Sequence, residues 1–361
     1  MKMLSTPSIL LLTVALGAGA GIVASSLTLG YLRDYDAIIS TPNSISLSSE
    51  RVRPGPSSYN QALEQVRDKV SVAAVEIFSK PSDSTGAYEP GHGQASGFFI
   101  TSDGWVLTAP YSYYLSKTEI NQAKVLVNGK LYPVQEVVND SDFSLSFLKI
   151  NITNVSVVTF GNPLILEAGE NLFVNSASDE VLTTSFFRFI QNGELSAPAE
   201  TASRRLELNV AVDSRFAGSA VANSSGEVVG ILVADQFSET KTVLPFTAIK
   251  PAVYSLLKED KIISLWFGAI VTDLSRAIGY DEAYTKGYTK GALVGTITKD
   301  SPAETVGLQR GDIIISVGGL EISEKQSLDE LLFDYHVGDT VNLIIDRDGT
   351  NREINVILGS R

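Results

Sequence analysis

The sequence predicts an all-β-dominated protein with two folded units behind an apolar N-terminal segment. Three observations carry this. From about residue 71 to 247, short apolar β runs alternate with turn residues at near-regular spacing, the pattern of a sandwich or barrel. A second set of runs and Gly-containing turns fills residues 264–361. Between Lys2 and Arg33 there is no charged residue at all.

That first segment has an apolar core, Ile9 to Leu32, long enough to cross a bilayer as a helix of ~20 residues. Two readings compete. A cleaved signal peptide would use Ala18-Gly19-Ala20 as its small-residue site, whereas an uncleaved anchor needs the full length, which is present. The anchor, residues 1–33, is favoured. Lys2 and the amino terminus then stay in the cytoplasm and the body lies outside it, single-pass. Residues 34–57 read as a linker, because Arg53-Pro54-Gly55-Pro56-Ser57 fits neither helix nor central strand.

Ser58–Val70 has helical spacing, with Leu63, Val66 and Val70 on one side, and Ser71–Phe78 is a β run. A polar loop over 80–93 leads to Gly97–Thr101 and Trp105–Thr108, which flank Ser102-Asp103-Gly104. Asp-Gly between apolar runs is a hairpin signal, since Gly accepts the positive φ such a turn needs. Further β runs are Ala123–Val127, Leu131–Val138, Leu145–Ile150, Ser156–Phe160, Leu172–Val174, Phe186–Ile190, Leu206–Val212, Val228–Ala234 and Thr242–Leu244. Thr247–Lys258 is expected to close this unit, residues 58–258, with a helix.

Composition narrows the chemistry. A net charge of −13 over 361 residues, with no basic block, argues against nucleic-acid binding. The absence of cysteine excludes disulfides, thiol catalysis and cysteine-ligated metal. The two histidines, His92 and His336, have no ligand partner at helical or hairpin spacing, and Asn139-Asp140-Ser141-Asp142 lacks the rest of a calcium loop. No metal or cofactor is expected.

The run Ala95–Tyr114 (ASGFFITSDGWVLTAPYSYY) resembles the first-barrel hairpin of the HtrA (Deg) family of trypsin-like serine proteases. Gly291-Ala292-Leu293-Val294, Ser301-Pro302-Ala303-Glu304 and Gly307-Leu308-Gln309-Arg310-Gly311-Asp312-Ile313-Ile314 resemble a PDZ domain of the same type, over residues 264–361. The resemblance spans about residues 58–361 and implies a trypsin-like double β-barrel followed by one PDZ domain. It also implies a groove helix at Ser327–Tyr335, a last hairpin from Val341–Asp346 and Glu353–Leu358, and a trimer or a mixed assembly with an active relative.

The same resemblance implies a triad, and here its positions are substituted. Tyr111 stands where the catalytic histidine would be, Ser144 where the orienting acid would be, and Ala217 at the nucleophile. A two-residue slip would bring in Asp142 as the acid. A relocated site would pair Ser219 with His92, but His92 lies between Gly91 and Gly93 in a loop, where a base has no fixed geometry. His336 is expected in a surface turn of the PDZ unit. Peptide recognition is the part expected to remain. Trp266, Phe267, Gly268 and Ala269 match the carboxylate-binding loop, Ile270, Val271 and Thr272 offer a strand edge, and Leu328, Leu331 and Leu332 face from the helix or belong to the core. The leading expectation is a membrane-anchored, extracytoplasmic pseudoprotease that binds C-terminal or unfolded peptide segments, in quality control or as a scaffold. The alternatives are an active endopeptidase with a relocated site, and a structural envelope protein whose groove is closed or self-occupied.

Overall fold

The computed structural model describes residues 46–47, 58–81, 86–109, 122–140, 142–176, 181–191, 195–201, 204–213, 216–233 and 239–361. The expected anchor, residues 1–33, lies outside these. Among the described residues no helix is long and apolar enough to cross a membrane. Of the expected linker, β1 (Ser46–Leu47) is described, and it runs parallel to β8 (Thr159–Phe160).

Helix α1 (Tyr59–Lys69) starts at Ser58, whose hydroxyl accepts the Gln61 N–H at 3.3 Å, and it buries Ala62 and Val66. The run after it begins as a 3-10 turn over Ser71–Ala73, so β2 (Ala74–Phe78) is shorter than the sequence suggests. β3 (Ala95–Phe99), β4 (Trp105–Thr108), β5 (Lys124–Val127), β6 (Lys130–Asp140) and β7 (Leu145–Ile150) join β2 in a closed barrel of order β2-β3-β4-β7-β6-β5. The hairpin expected at Asp103-Gly104 forms, but around a longer loop than a two-residue turn. The Ile100 N–H donates to the Trp105 carbonyl at 2.9 Å, and Gly104 takes φ +100°. A Cβ on Gly104 would stand 2.5 Å from the Ile150 carbonyl oxygen, so backbone approach as well as turn conformation requires glycine there. Lys149 Nζ ties the loop down from β7 by donating to Asp103 Oδ2 at 2.6 Å.

The second barrel uses β9 (Asn171–Asn175), β10 (Val181–Gln191), β12 (Arg204–Asp213), β13 (Ala220–Ala222), β14 (Val228–Leu232) and β15 (Glu239–Pro245). β15 pairs with both β12 and β14, which closes the ring β14-β13-β9-β10-β12-β15. Helix α2 (Phe246–Glu259) follows and ends with Asp260 in the left-handed conformation. Its Phe246 stacks on Phe160 at 3.8 Å, so the helix, both barrels and α1 share one apolar core.

The C-terminal unit has its own core, including Phe267, Val294, Ile314, Leu331 and Val356. β16 (Leu265–Trp266) pairs with β23 (Gly359–Ser360), and the main sheet holds β17 (Ala269–Asp273), β18 (Ala292–Ile297), β19 (Ile313–Val317) with β20 (Leu320–Glu321) beside it, β21 (Thr340–Arg347) and β22 (Thr350–Ile357). Short helices α3 (Glu282–Thr285), α4 (Pro302–Thr305) and α5 (Leu328–Leu332) complete it. Helix α5, the expected groove helix, is shorter than expected and carries a Ser327–Glu330 capping box. One further strand belongs to this sheet although it lies between β10 and β12 in the chain. β11 (Ser196–Pro198) pairs antiparallel with β17. His336 opens a turn as expected, its carbonyl accepting the Asp339 N–H at 3.1 Å, but its ring is not fully at the surface. It is half-buried between the units, 3.7 Å from the Tyr254 ring of α2 and 3.3 Å from Asp339. Burial lowers its pKa against the pull of Asp339.

Candidate functional site

Two places carry the expected functional residues: the meeting point of the barrels, and the groove between β17 and α5. At the first, Phe216 to Ser219 form a tight turn. The Ser219 N–H donates to the Phe216 carbonyl at 2.9 Å and Gly218 takes φ +87°. Phe216 buries its ring in the second-barrel core beside Val212 and Val229. Ala217 is fully buried, and its carbonyl accepts the Ser96 N–H at 3.0 Å. Thr108, the last residue of β4, donates its hydroxyl to the Ser96 carbonyl at 2.7 Å. A Cβ on Gly218 would meet that same carbonyl at 2.0 Å, so the turn is wedged against β3.

Ser219 follows the turn, and its hydroxyl is fully buried with no hydrogen-bond partner among the described residues. Ser144 is exposed in the left-handed region at φ +55°, two residues before Ser146, which pairs with Thr108. The register of β4 and β7 thus brings Ser144 to the end of β4 from which the chain runs on to Tyr111. Tyr111 itself lies outside the described residues.

Asp142 is exposed, and its N–H is held by Asp140 Oδ1 at 2.9 Å. Asp140 is buried, and burial pushes its carboxyl up to about 6 despite the N–H groups of Asp142 and Phe143. His92 sits 3.3 Å from Glu89 in an exposed loop, with 60% of its side chain open to solvent. Ser219 and His92 therefore differ sharply in setting, one sealed in the barrel and the other in water. Among the described residues no group of three His, Asp or Glu side chains is placed to hold a metal ion.

At the second place, Gly268 takes φ +82° in the loop Trp266-Phe267-Gly268-Ala269. Ile270, Val271 and Thr272 lie on the outer edge of β17, as expected, but the edge is not open. Ile270 pairs with Pro198, Val271 with Ala197 and Thr272 with Ser196. Beyond β11, the Ala199 N–H donates to the Ala269 carbonyl at 2.9 Å. The half-buried Glu200 carboxylate accepts the Gly268 N–H at 3.4 Å. Its pKa is raised by burial, against the opposing pull of the Gly268 and Phe267 N–H groups and the Arg361 charge. Leu328 lines the space beside this segment together with Val271 and Ala197, whereas Leu331 and Leu332 are fully buried in the core.

Beyond the segment, Arg204 at the start of β12 crosses to α5. Its guanidinium donates to the Lys325 carbonyl at 2.9 Å and to the Glu324 carbonyl, and lies 3.5 Å from Glu330.

Comparison with known proteins agrees with this architecture. Residues 95–231 match the trypsin-like peptidase domain family and residues 236–358 match the PDZ domain family. The Do-like HtrA serine protease of Lactobacillus helveticus is 26% identical over 311 residues, covering 78% of this chain and 73% of the relative. The chain is similar to HtrA/DegP proteins across both matched domains.

It is also 25% identical over 271 residues to a probable periplasmic DegP-like endoprotease of Marinomonas sp. (strain MWYL1), where it spans 57% of the relative's length. Solved structures of the HtrA-type protease AlgW share its fold. The complex with a tripeptide has a TM-score of 0.58 at 17% identity, over 83% of this chain and 97% of that one. The complex with a decapeptide has 0.55 at 18%, over 83% and 98%. The PDZ match begins inside the barrel unit of this chain, because β15 and α2 close the second barrel before the C-terminal sheet starts.

Sequence reasoning missed β11, Glu200 and Arg204. Pro198 and the small residues around it carry no strand signal, although Pro in such a place is consistent with an edge strand.

Proposed function

We propose that this chain is a membrane-anchored, extracytoplasmic HtrA-like pseudoprotease that recognises peptide segments through its PDZ domain. The observation that carries the reading lies at the turn Phe216–Ser219. By the family resemblance Ala217 stands at the nucleophile position, and the one hydroxyl of the turn, Ser219 Oγ, is buried in the barrel. A serine nucleophile needs a general base in hydrogen-bond reach and room for the attacked carbonyl. A hydroxyl without solvent access has neither a substrate path nor a proton acceptor. Tyr111 at the base position would, with an ordinary phenol pKa near ~10, accept a proton poorly at neutral pH. Loss of a working triad costs on the order of 10⁶ in kcat.

Peptide recognition is supported by the PDZ match, by the left-handed Gly268 in the carboxylate-binding loop, and by the AlgW structures with bound peptides. The uncharged run between Lys2 and Arg33 supports the anchor, and the periplasmic designation of DegP-like relatives supports the side of the membrane. A trimer or a mixed assembly with an active relative rests on the family resemblance.

The test is cleavage of unfolded casein by the full chain in detergent, beside its Ser219→Ala variant, with labelling by a serine-directed phosphonate. Equal background from both proteins and no labelling are expected. Cleavage or labelling that vanishes in the variant would establish a relocated endopeptidase site instead.

A further inference from the structure

We propose that residues Ser196–Glu200 are a resident ligand of the PDZ groove, in which Ala199 replaces the last residue of a bound peptide and the Glu200 side chain replaces its C-terminal carboxylate. The inference deepens the peptide-binding reading and rests on it for the identity of the groove.

The substitution is complete in kind. A peptide bound by strand addition pairs its backbone with a sheet edge, puts its last side chain in a pocket and gives its terminal carboxylate to backbone N–H groups. Here Ser196, Ala197 and Pro198 pair in unbroken register with Thr272, Val271 and Ile270, and the Ala199 N–H to Ala269 carbonyl bond continues that register. Ala199 is 1% exposed and belongs to the PDZ core with Phe267, Leu328 and Leu331, not to either barrel core. The next group along is a carboxylate, and it lies on the Gly268 N–H of the loop. Its own chain turns away at that point, since the Thr201 N–H donates back to the Pro198 carbonyl at 3.0 Å. A turn thus stands where a ligand would end.

Pro198 fits the same role. Donors alternate along an antiparallel strand, so with the Ala199 N–H facing β17 the ring nitrogen of Pro198 faces away. The missing N–H costs nothing against β17 and leaves the outer edge a poor template for another strand. Ser196 Oγ meets Thr272 Oγ1 at 2.7 Å, and Arg204 pins the far side to the turn before α5. Any outside peptide must therefore win the groove from a segment tethered in the same chain, which holds a high effective concentration. The segment also states the chemistry the groove accepts: an extended peptide ending in a small side chain and a carboxylate.

The test uses the full chain in detergent, whose lack of cysteine makes an introduced pair unambiguous. Ser196→Cys with Thr272→Cys places thiols at a non-hydrogen-bonded pair, where facing residues stand closest and within disulfide range. Mild oxidation is expected to join them quantitatively, the oxidant taking up two hydrogen atoms, read as their loss from the intact mass. The probe is fluorescein-labelled Leu-Ser-Ala-Pro-Ala with a free carboxylate, beside its C-terminal amide. The free acid is expected to bind the reduced protein and to be excluded from the oxidised one. In the cysteine-free chain, Glu200→Gln should strengthen binding of the free acid roughly tenfold by weakening the competitor, with the amide bound far less well. Thiols that fail to pair, or a peptide that binds oxidised and reduced protein alike, would overturn the proposal and leave peptide recognition standing. Thiols that pair while no form of the protein takes up the peptide would uphold the resident segment and sink peptide recruitment as the function.

Discussion

The Ala199 N–H donates to the Ala269 carbonyl at 2.9 Å, and this one bond marks where a connection inside the second barrel becomes part of the PDZ sheet. The two residues are far apart in sequence, so their pairing carries a loop-closure cost that local structure cannot repay. What repays it is contact between the units. Lys250 of α2 reaches Asp334 at 2.8 Å, Phe333 packs edge-on to Phe143 at 6.0 Å, and Arg204 lies against α5. The PDZ unit is held to the barrels on the same side as its groove.

Arg204 makes the more deeply buried of these two polar ties. Its guanidinium and the Glu330 carboxylate are both nearly inaccessible, at 4% and 3%. Replacing it with Met would keep most of the volume and leave Glu330 buried beside Asp329. Breaking one side of a buried pair costs roughly 3–5 kcal/mol. Arg204→Met should lower the urea midpoint of the PDZ unit and separate its transition from that of the barrels. Adding Glu330→Gln should recover much of the loss. An unchanged single transition in Arg204→Met would mean that the units are coupled elsewhere.

Gly268→Ala should disable the carboxylate-binding loop. Gly268 takes φ +82°, and a Cβ there would stand 2.2 Å from Ser301 Cβ. Ser301 caps α4 by accepting the Glu304 N–H at 3.2 Å, so it cannot retreat without losing that cap. Left-handed strain and the clash together should cost roughly 2 kcal/mol or more. The expected result is a lower melting temperature for the PDZ unit and loss of peptide binding in every variant of the resident segment. Binding that survives in Gly268→Ala would remove the loop from the site.

Much of this fold is legible in the sequence, for physical reasons that differ along the chain. Leu145–Ile150 was expected as a strand and is one, because its bulky apolar residues are almost all buried in a closed barrel. The Asp103-Gly104 turn is legible because few residues accept φ +100°. The PDZ unit is legible through the family resemblance of the runs that hold Gly291, Gly307 and Gly311, each at positive φ. β11 is not legible. Ser-Ala-Pro has neither alternation nor β-branched residues, and its strand partner lies in the other unit. The burial of Ser219 is equally hidden, since a Ser beside Gly218 reads as an exposed loop hydroxyl until the wedge against Ser96 is known. Ser144 and Ala217 are assigned through the strands that flank them in the family resemblance.

Asp140 should make stability fall as pH rises. Burial raises its folded pKa from 3.8 to about 6, and the Asp142 charge adds to the effect. A raised carboxyl pKa means that the folded state binds the proton more tightly than the unfolded chain. Its contribution is therefore fully present below about 4 and is lost as pH climbs through about 6. A shift of about two units corresponds to roughly 3 kcal/mol at most. Asp140→Asn keeps an oxygen for the Asp142 and Phe143 N–H groups while removing the charge. It should match the parent near pH 4 and exceed it by roughly 1–3 kcal/mol at pH 8 in urea denaturation. A constant difference between the two proteins across that range would show that Asp140 is not the group responsible.

Ala217→Ser should leave the protein without peptidase activity. The new hydroxyl would enter a site that is fully buried, in a turn whose neighbour Gly218 has no room to move from the Ser96 carbonyl. By the family resemblance the base and acid positions hold Tyr111 and Ser144, so nothing in the assigned triad would take its proton. Adding Tyr111→His and Ser144→Asp supplies both groups in the family's places. The single variant should cleave casein no faster than its parent and resist the phosphonate, with a stability loss of roughly 1 kcal/mol for a hydroxyl buried without a partner. If the triple variant alone labels at residue 217, the assignment of all three positions is correct and the barrels still hold protease geometry. Labelling of the single variant would mean that a base other than Tyr111 already reaches the turn, and the pseudoprotease reading would fall.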